Sequence, residues 1–287
     1  MGPVITAFKN FIPNLLTLIN LTFGLIGVVF AFSEKLHLAG VMVFIAAVFD
    51  FFDGFAARLL NAQSELGKEL DSLADMVAFG VLPGVIVYQI MNGFLGIHYV
   101  PVLERPTELH VLSMCAFLLP ACSAYRLAKF NIDTRQSSNF IGLPTPAMAI
   151  FFASIPIIAE SQYEYNLYVA LDQIQLNGIA QFYHYDGFDM GIIGLFQSTT
   201  FWIIAVLLFS YLMVSPLPII SMKFKSLKWA DNKWRFIFLI VALLTSLVCF
   251  QNYTVGLRFI PWLEWLFLPL VIVELVIISI IKRLAER

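Results

Sequence analysis

The sequence predicts an all-α protein that crosses a membrane about eight times, as one integral-membrane domain over residues 1–287. Of the 287 residues, 60% are hydrophobic and only 13% are charged, a composition that excludes an ordinary soluble protein. The apolar residues also form long runs, and each run approaches the roughly 20 residues that a helix needs to cross a bilayer.

The N-terminal half of the chain contains five predicted spans. Residues 2–11 predict a short amphipathic segment on the membrane surface. Pro13 is expected to start the first span, because the first turn of a helix tolerates proline. The five spans cover residues 13–32, 38–60, 69–91, 111–130 and 142–159.

The C-terminal half opens with an acidic and aromatic stretch, residues 160–189, which contains no Lys or Arg. We predict a long loop there, with its tyrosines on the membrane interface. Three further spans are predicted at residues 191–214, 234–250 and 259–281. The first six spans are expected to form the core, over about residues 10–214. The last two, over residues 234–281, are expected to be additional helices.

The basic residues are distributed unevenly between the two sides of the membrane. With eight spans, both termini lie on one side, and that side carries 14 of the 17 Lys and Arg residues. Lys35, Arg105 and Arg258 remain on the other side. Because positive residues accumulate on the cytoplasmic side, we expect both termini to be cytoplasmic.

Four carboxylates interrupt the apolar pattern in two pairs. Asp50 and Asp53 are close to the end of the second span, and Asp71 and Asp75 are close to the start of the third. Spacings of three and four residues place each pair on one helix face, and the intervening turn brings both pairs to the same membrane face. Helix capping and salt bridges would explain one pair, but too few cations are nearby to neutralise four carboxylates. We therefore predict a site for two divalent ions, Mg²⁺ or Mn²⁺, bridging a phosphate.

Other residues near the aspartates suit a phosphate ligand. Gly54 and Gly67 leave room for a ligand or a second helix to approach the backbone. Arg58, one turn after Gly54, has a guanidinium group whose N–H donors could bind a phosphate in pairs. Two interpretations of Thr17 and Asn20 remain open, since they either bond to neighbouring helices or line a nucleotide site.

This set of residues resembles the signature of the CDP-alcohol phosphotransferase family, D-x2-D-G-x2-A-R-x8-G-x3-D-x3-D. Its fixed positions are filled by Asp50, Asp53, Gly54, Ala57, Arg58, Gly67, Asp71 and Asp75. The resemblance implies transfer of a substituted phosphate from a CDP-linked lipid to an alcohol, with CMP as the leaving group. It also implies that the four aspartates are metal ligands and that Asp75 removes the proton of the acceptor hydroxyl.

The resemblance further implies a binding site for the CDP-lipid. Its expected residues are Pro13, Asn14, Thr17, Asn20, Gly54, Arg58, Ser64 and Gly67. Gly54 and Arg58 would contact the diphosphate. Ser64 is equally well explained as a turn residue.

The acceptor is indicated by segments outside the signature. Residues 71–84, 126–131 and 142–147 resemble the bacterial and archaeal phosphatidylserine synthase branch of the family. That resemblance implies CDP-diacylglycerol as donor, L-serine as acceptor, surrounding membrane lipids and a homodimer. The carboxylate of serine needs a cation, although basic residues at this face also contact lipid headgroups. The candidate acceptor-binding residues are Arg126, Lys129, Asn131 and Arg135.

The sequence also allows two alternative functions. No nucleic acid partner is expected. The same chemistry with glycerol 3-phosphate or inositol phosphate would need a denser cationic pocket. A cation-coupled transporter would use intramembrane aspartates, but these lie at one membrane face and no inverted repeat continues a path. A purely structural membrane protein gives no reason for four clustered carboxylates.

Overall fold

The computed structural model describes residues 3–133, 140–177, 194, 196–222, 228–250 and 263–286, and these are almost entirely helical, which confirms the predicted class. The N-terminal part contains α1 (Pro3–Phe32), α2 (Leu36–Leu59) and α3 (Glu65–Asp75). A six-residue π-helical segment, Met76–Val81, joins α3 to α4 (Leu82–Phe94).

The rest of the described chain is also mainly helical. Its helices are α5 (Thr107–Met114), α6 (Leu118–Ile132), α7 (Thr145–Asn177), α8 (Thr199–Val214), α9 (Trp229–Phe250) and α10 (Leu263–Ala285). Two short strands, β1 (Phe140–Ile141) and β2 (Pro218–Ile219), form an antiparallel pair.

Several helices are long and apolar enough to cross a membrane, so the chain is an integral membrane protein. Within the described ranges, five segments meet this condition: Phe11–Phe32, Leu36–Leu59, Glu65–Phe94, Thr107–Ile132 and Asp231–Phe250. Two shorter apolar helices cover Thr145–Ser161 and Thr199–Val214. Together with α10, these segments overlap the eight predicted spans in order.

Two boundaries predicted from the sequence are wrong. Pro13 does not start a helix but lies inside α1, which begins at Pro3, so residues 3–11 are not a separate surface segment. Proline removes one backbone hydrogen bond from a helix interior, and α1 continues past Pro13 despite this loss. The predicted loop at 160–189 is helical up to Asn177, because no Gly or Pro interrupts residues 160–177. The rest of that loop lies outside the described residues.

Small residues bring the N-terminal helices into close contact. A Cβ on Gly24 of α1 would lie 2.9 Å from the Cα of Ala78 in the π-helical segment. A Cβ on Gly40 of α2 would lie even closer to the carbonyl oxygen of Ala153 in α7. Such contacts allow backbones to approach each other without side chains between them, as is common between membrane helices. The contact at Gly24 holds α1 against the segment that follows Asp75, and the contact at Gly40 holds α2 against α7.

The start of α7 is fixed by backbone contacts with the end of α8. Gly142 has a φ of +77° and donates its N–H to the Leu217 carbonyl at 2.9 Å. Leu143 donates to the Leu212 carbonyl at 2.9 Å. A side chain at Gly142 would collide with the Met213 carbonyl, so glycine is required by both conformation and space. This junction determines where the first residue of α7, Thr145, lies.

Candidate active site

The turn between α2 and α3 brings the two aspartate pairs together. Carboxylate oxygens of Asp50, Asp53 and Asp71 all lie within 4.8 Å of one another. Asp75 lies one turn further along α3 and is close enough to interact electrostatically with all three. One cluster of four carboxylates therefore lies between the C-terminal half of α2 and the C-terminal half of α3.

The cluster has the properties of a site for divalent cations. Asp71 Oδ1 and Asp75 Oδ1 are buried and have no hydrogen-bond partner among the residues that the structure describes. In the same residues, no Lys or Arg forms an ion pair with any of the four aspartates. Buried carboxylates without partners are costly, and hard divalent cations with oxygen ligands remove that cost. The donor set thus fits hard divalent cations.

A side chain from α1 orients one of these carboxylates. Thr17 Oγ1 donates a hydrogen bond to Asp53 Oδ2 at 2.6 Å and also lies 3.1 Å from the Pro13 carbonyl. Thr17 and Asp53 are 3% and 5% exposed, so this bond is shielded from water. Asn20, one turn further along α1, is fully buried, and neither atom of its amide is hydrogen-bonded within the described ranges.

A cavity of about 590 Å³ opens beside the cluster, between α1, α2 and the start of α3. It is lined by Pro13, Asn14, Thr17, Asp53, Gly54, Ala57, Arg58, Ala62, Gln63, Ser64, Glu65, Gly67, Lys68 and Asp71. Seven of the eight residues that we expected to contact a CDP-lipid lie on this wall, and Asn20 does not. Gln63, Glu65 and Lys68 also line the cavity but were not predicted from the sequence to do so. The signal for Lys68 was its spacing of three residues from Asp71, which places both on one face of α3.

The two glycines of the cavity differ in their surroundings. A Cβ on Gly54 would meet nothing within 4 Å, so this glycine adds open space to the cavity. A Cβ on Gly67 would lie 3.1 Å from Ser64 Oγ and 3.2 Å from Asn14 Oδ1. Gly67 also donates its N–H to Ser64 Oγ at 3.0 Å, so Ser64 is the N-cap of α3 as well as a cavity residue.

Arg126 is the only predicted acceptor residue for which the structure shows an interaction with the cluster, within the described part of the chain. It is 7% exposed on α6 and interacts electrostatically with Asp75. Its Nη1 donates to Thr145 Oγ1 at 3.0 Å, and its Nε has no described partner. Thr145 is fully buried and lies in the 142–147 segment, but no spacing in the sequence links it to Arg126, because only the folded chain places α7 beside α6.

The other candidate acceptor residues have different surroundings. The ammonium of Lys129 lies 5.9 Å from the centroid of the exposed Tyr125 ring. Asn131 donates from Nδ2 to Ser72 Oγ at 2.9 Å, and its carbonyl accepts a hydrogen bond from Lys68 Nζ at 2.9 Å. Asn131 therefore ties the end of α6 to α3. Arg135 lies outside the described residues.

The chain is similar to known proteins of one family. The family model described as CDP-alcohol phosphatidyltransferase matches residues 10–183. The CDP-diacylglycerol–serine O-phosphatidyltransferase of Bacillus subtilis is 37% identical over 140 residues, which cover 48% of this chain and 70% of that protein. The archaetidylserine synthase of Methanothermobacter thermautotrophicus is 30% identical over 145 residues, which cover 50% of this chain and 56% of that protein. The CDP-diacylglycerol–serine O-phosphatidyltransferase of Helicobacter pylori (strain J99) is 34% identical over 155 residues, which cover 53% of this chain and 60% of that protein.

Proposed function

Because the chain belongs to the CDP-alcohol phosphatidyltransferase family, we propose that it transfers the phosphatidyl group of CDP-diacylglycerol to the hydroxyl of L-serine. The products are phosphatidylserine and CMP. The observation that carries this proposal is the cavity lined by seven expected CDP-lipid residues, because Asp53 and Asp71 of the carboxylate cluster belong to its wall. Names of similar proteins from a bacterium and an archaeon support serine as the acceptor.

The cavity suits the polar part of the donor. A volume of about 590 Å³ lies within the range of small-molecule sites, and Arg58 and Lys68 supply positive charge for a diphosphate. The open space at Gly54 allows the diphosphate to approach the backbone of α2. The acyl chains would remain in the bilayer, beside the exposed rings of Phe51 and Phe55 on the same helix.

The four aspartates would hold the divalent ions, which we infer to be two Mg²⁺ or Mn²⁺ ions. When bound, the ions neutralise the diphosphate and stabilise the departing CMP. Thr17 keeps the Asp53 carboxylate in one orientation through its hydrogen bond. Metal binding would also remove the repulsion between the clustered carboxylates.

Asp75 is the proposed base. Its Oδ1 is buried and has no hydrogen-bond partner in the described ranges, so it is free to accept the proton of the serine hydroxyl. The serine oxygen then forms a bond to phosphorus as the bond from phosphorus to the CMP oxygen breaks. Arg126, which interacts with Asp75, would bind the serine carboxylate and place the hydroxyl near this base. Thr145 holds the Arg126 guanidinium in position.

The wider setting of the site is also part of the proposal. We infer that residues 10–214 form the catalytic core and that both termini and the aspartate cluster face the cytoplasm. The distribution of 14 of 17 basic residues on that side supports this orientation. A homodimer remains our expectation for the assembly.

The direct test measures CMP release from CDP-diacylglycerol by purified protein with Mn²⁺, adding serine, glycerol 3-phosphate or inositol separately. Release that depends on serine alone is the expected result. Release with a different acceptor would support the proposed active site but exclude serine as the acceptor. No release with any acceptor, from folded protein, would contradict the whole proposal and favour a transporter.

The acceptor contact is tested by Arg126→Gln. We expect the KM for serine to rise at least tenfold while the KM for CDP-diacylglycerol stays unchanged, because the acceptor carboxylate loses its partner and Arg126 does not line the donor cavity. Arg126→Lys should restore part of the loss, since it keeps the charge. Lys129→Gln is the comparison variant. A larger effect from Lys129→Gln than from Arg126→Gln would move the contact to Lys129.

A further inference from the structure

A second cavity lies at the other end of the helix bundle from the aspartate cluster. Its volume is about 370 Å³, and it lies where α1 and α4 end and α2 begins. Its polar lining residues are Glu34, Tyr88, Gln89, His98 and Arg105. Tyr88 follows Asp75 by 13 residues along one helical rod, which separates the two sites by roughly 20 Å at 1.5 Å per residue. The catalytic proposal does not use this cavity.

Arg105 is held in place at the wall of this cavity by two hydrogen bonds. Its Nε donates to the Val100 carbonyl at 2.9 Å, and its Nη1 donates to Tyr88 Oη at 2.8 Å. Tyr88 is nearly buried, and its hydroxyl also lies 3.1 Å from His110 Nε2, which fixes the network further. A guanidinium has five N–H donors, so three remain for a ligand. In the part of the chain that the structure describes, no carboxylate forms an ion pair with Arg105.

Two further lining residues point to a ligand. His98 Nδ1 is buried and has no hydrogen-bond partner among described residues. Glu34 has a φ of +62°, in the left-handed region, at the position where Lys35 N–H bonds back to the Phe30 carbonyl and closes α1. Glycine is the favoured residue at such a helix end, so a glutamate there is strained. The strain is explained if the Glu34 carboxylate is needed at the cavity.

We propose that this cavity binds the headgroup of an aminophospholipid. The cavity offers a fixed cation and a separate carboxylate that do not pair with each other, which matches a phosphodiester next to an ammonium group. Arg105 and His98 would bind the phosphate, and Glu34 would bind the amine. Phe32, Leu36 and Val102 also line the cavity and would contact the glycerol and the first acyl carbons. The position at the ends of membrane helices places these groups at the depth of lipid headgroups.

The test titrates delipidated protein in nonionic detergent with phosphatidylethanolamine and counts retained lipid by native mass spectrometry. Arg105→Gln and Glu34→Gly should each lower retention at least tenfold. Glu34→Gly also relieves the left-handed backbone, so its unfolding midpoint should not fall, and lost binding in it is not lost folding. Lys35→Gln is the matched control, because Lys35 is in the same turn but does not line the cavity. We expect it to bind like the unaltered protein.

Three outcomes would overturn this proposal. Equal retention by Arg105→Gln, Glu34→Gly and unaltered protein would show that the lipid binds elsewhere. Equal retention of phosphatidylglycerol, which has no amine, would remove the role of Glu34. Displacement by soluble phosphoethanolamine at the same concentration as the lipid would show that the ligand is a soluble phosphate ester.

Discussion

At the scale of single residues, the carboxylate cluster depends on side chains that lie elsewhere in the sequence. Asp53 is oriented by Thr17, which is 36 positions earlier, and Asp75 interacts with Arg126 on α6. Arg126 is in turn held by Thr145 on α7. Each of these contacts joins two helices, so the site requires the whole N-terminal bundle and not only its signature.

Thr17→Val tests the role of the hydrogen bond to Asp53. Valine keeps the shape of threonine but cannot donate a hydrogen bond. The Asp53 carboxylate therefore loses its fixed orientation, and one of its buried oxygens is left without a hydrogen-bond partner. We expect kcat/KM and the affinity for Mn²⁺ to fall roughly 10- to 100-fold, the typical effect of losing a partner of a metal ligand. Thr17→Ser, which keeps the hydroxyl, should retain most of the activity. Equal losses in both variants would show that packing matters there and not the hydrogen bond.

Asp75→Asn tests the proposed base. The amide has the same size but cannot accept the serine proton, so turnover should fall by roughly 10²- to 10⁴-fold. Binding of CDP-diacylglycerol, measured by equilibrium titration, should change much less. Glu69→Gln removes an exposed carboxylate of the same helix and is the matched control, expected to behave normally. Near-normal turnover in Asp75→Asn would exclude Asp75 as the base.

At the scale of helices, the site is built on a hairpin whose second arm is not a regular helix. The π-helical segment Met76–Val81 follows Asp75 directly and packs against α1 through Ala78. Such segments insert an extra residue into a turn and are frequent at functional sites. Asp75 interacts with the cluster, and Phe79 and Leu82 beyond it are buried in the core.

Gly54→Ala tests whether the open space on α2 serves the donor. Alanine in a helix interior is about 0.5–1 kcal/mol more favourable than glycine, and a Cβ here meets no neighbour. The unfolding midpoint should therefore rise, while the KM for CDP-diacylglycerol should increase at least tenfold because the methyl group occupies the cavity. Gly93→Ala on α4, also in open space, should raise the midpoint and leave this KM unchanged. An unchanged KM in Gly54→Ala would contradict donor binding at this surface.

The sequence predicts the helices and the clustering of the aspartates well because both depend on local spacing. Hydrophobic runs show the spans, and the intervals in Asp50–Asp53 and Asp71–Asp75 show the shared face. Sequence alone does not show that α1 continues through Pro13, since a proline either starts or interrupts a helix. Nor does it show the contact between Arg126 and Thr145, because the packing of α6 beside α7 is determined by the tertiary fold. The π-helical segment likewise has no spacing that marks it.

At the scale of the whole molecule, the two ends of the bundle carry two different polar sites. One end holds four clustered carboxylates and a cavity with Arg58 and Lys68, which suits cations and an activated diphosphate. The other end holds the smaller cavity around Arg105, which suits a headgroup. Apolar helices separate the two ends, so a ligand of one site would not reach the other. This separation lets each site be altered without the other.

We expect the aspartate cluster to work only with bound divalent cations. The most direct measurement follows metal content and serine-dependent CMP release in the same protein sample, before and after chelation and during stepwise addition of Mn²⁺. We predict that chelated protein is inactive and that activity returns in proportion to bound Mn²⁺, with Asp71→Asn failing to recover. Full turnover by protein that carries no metal would contradict the account.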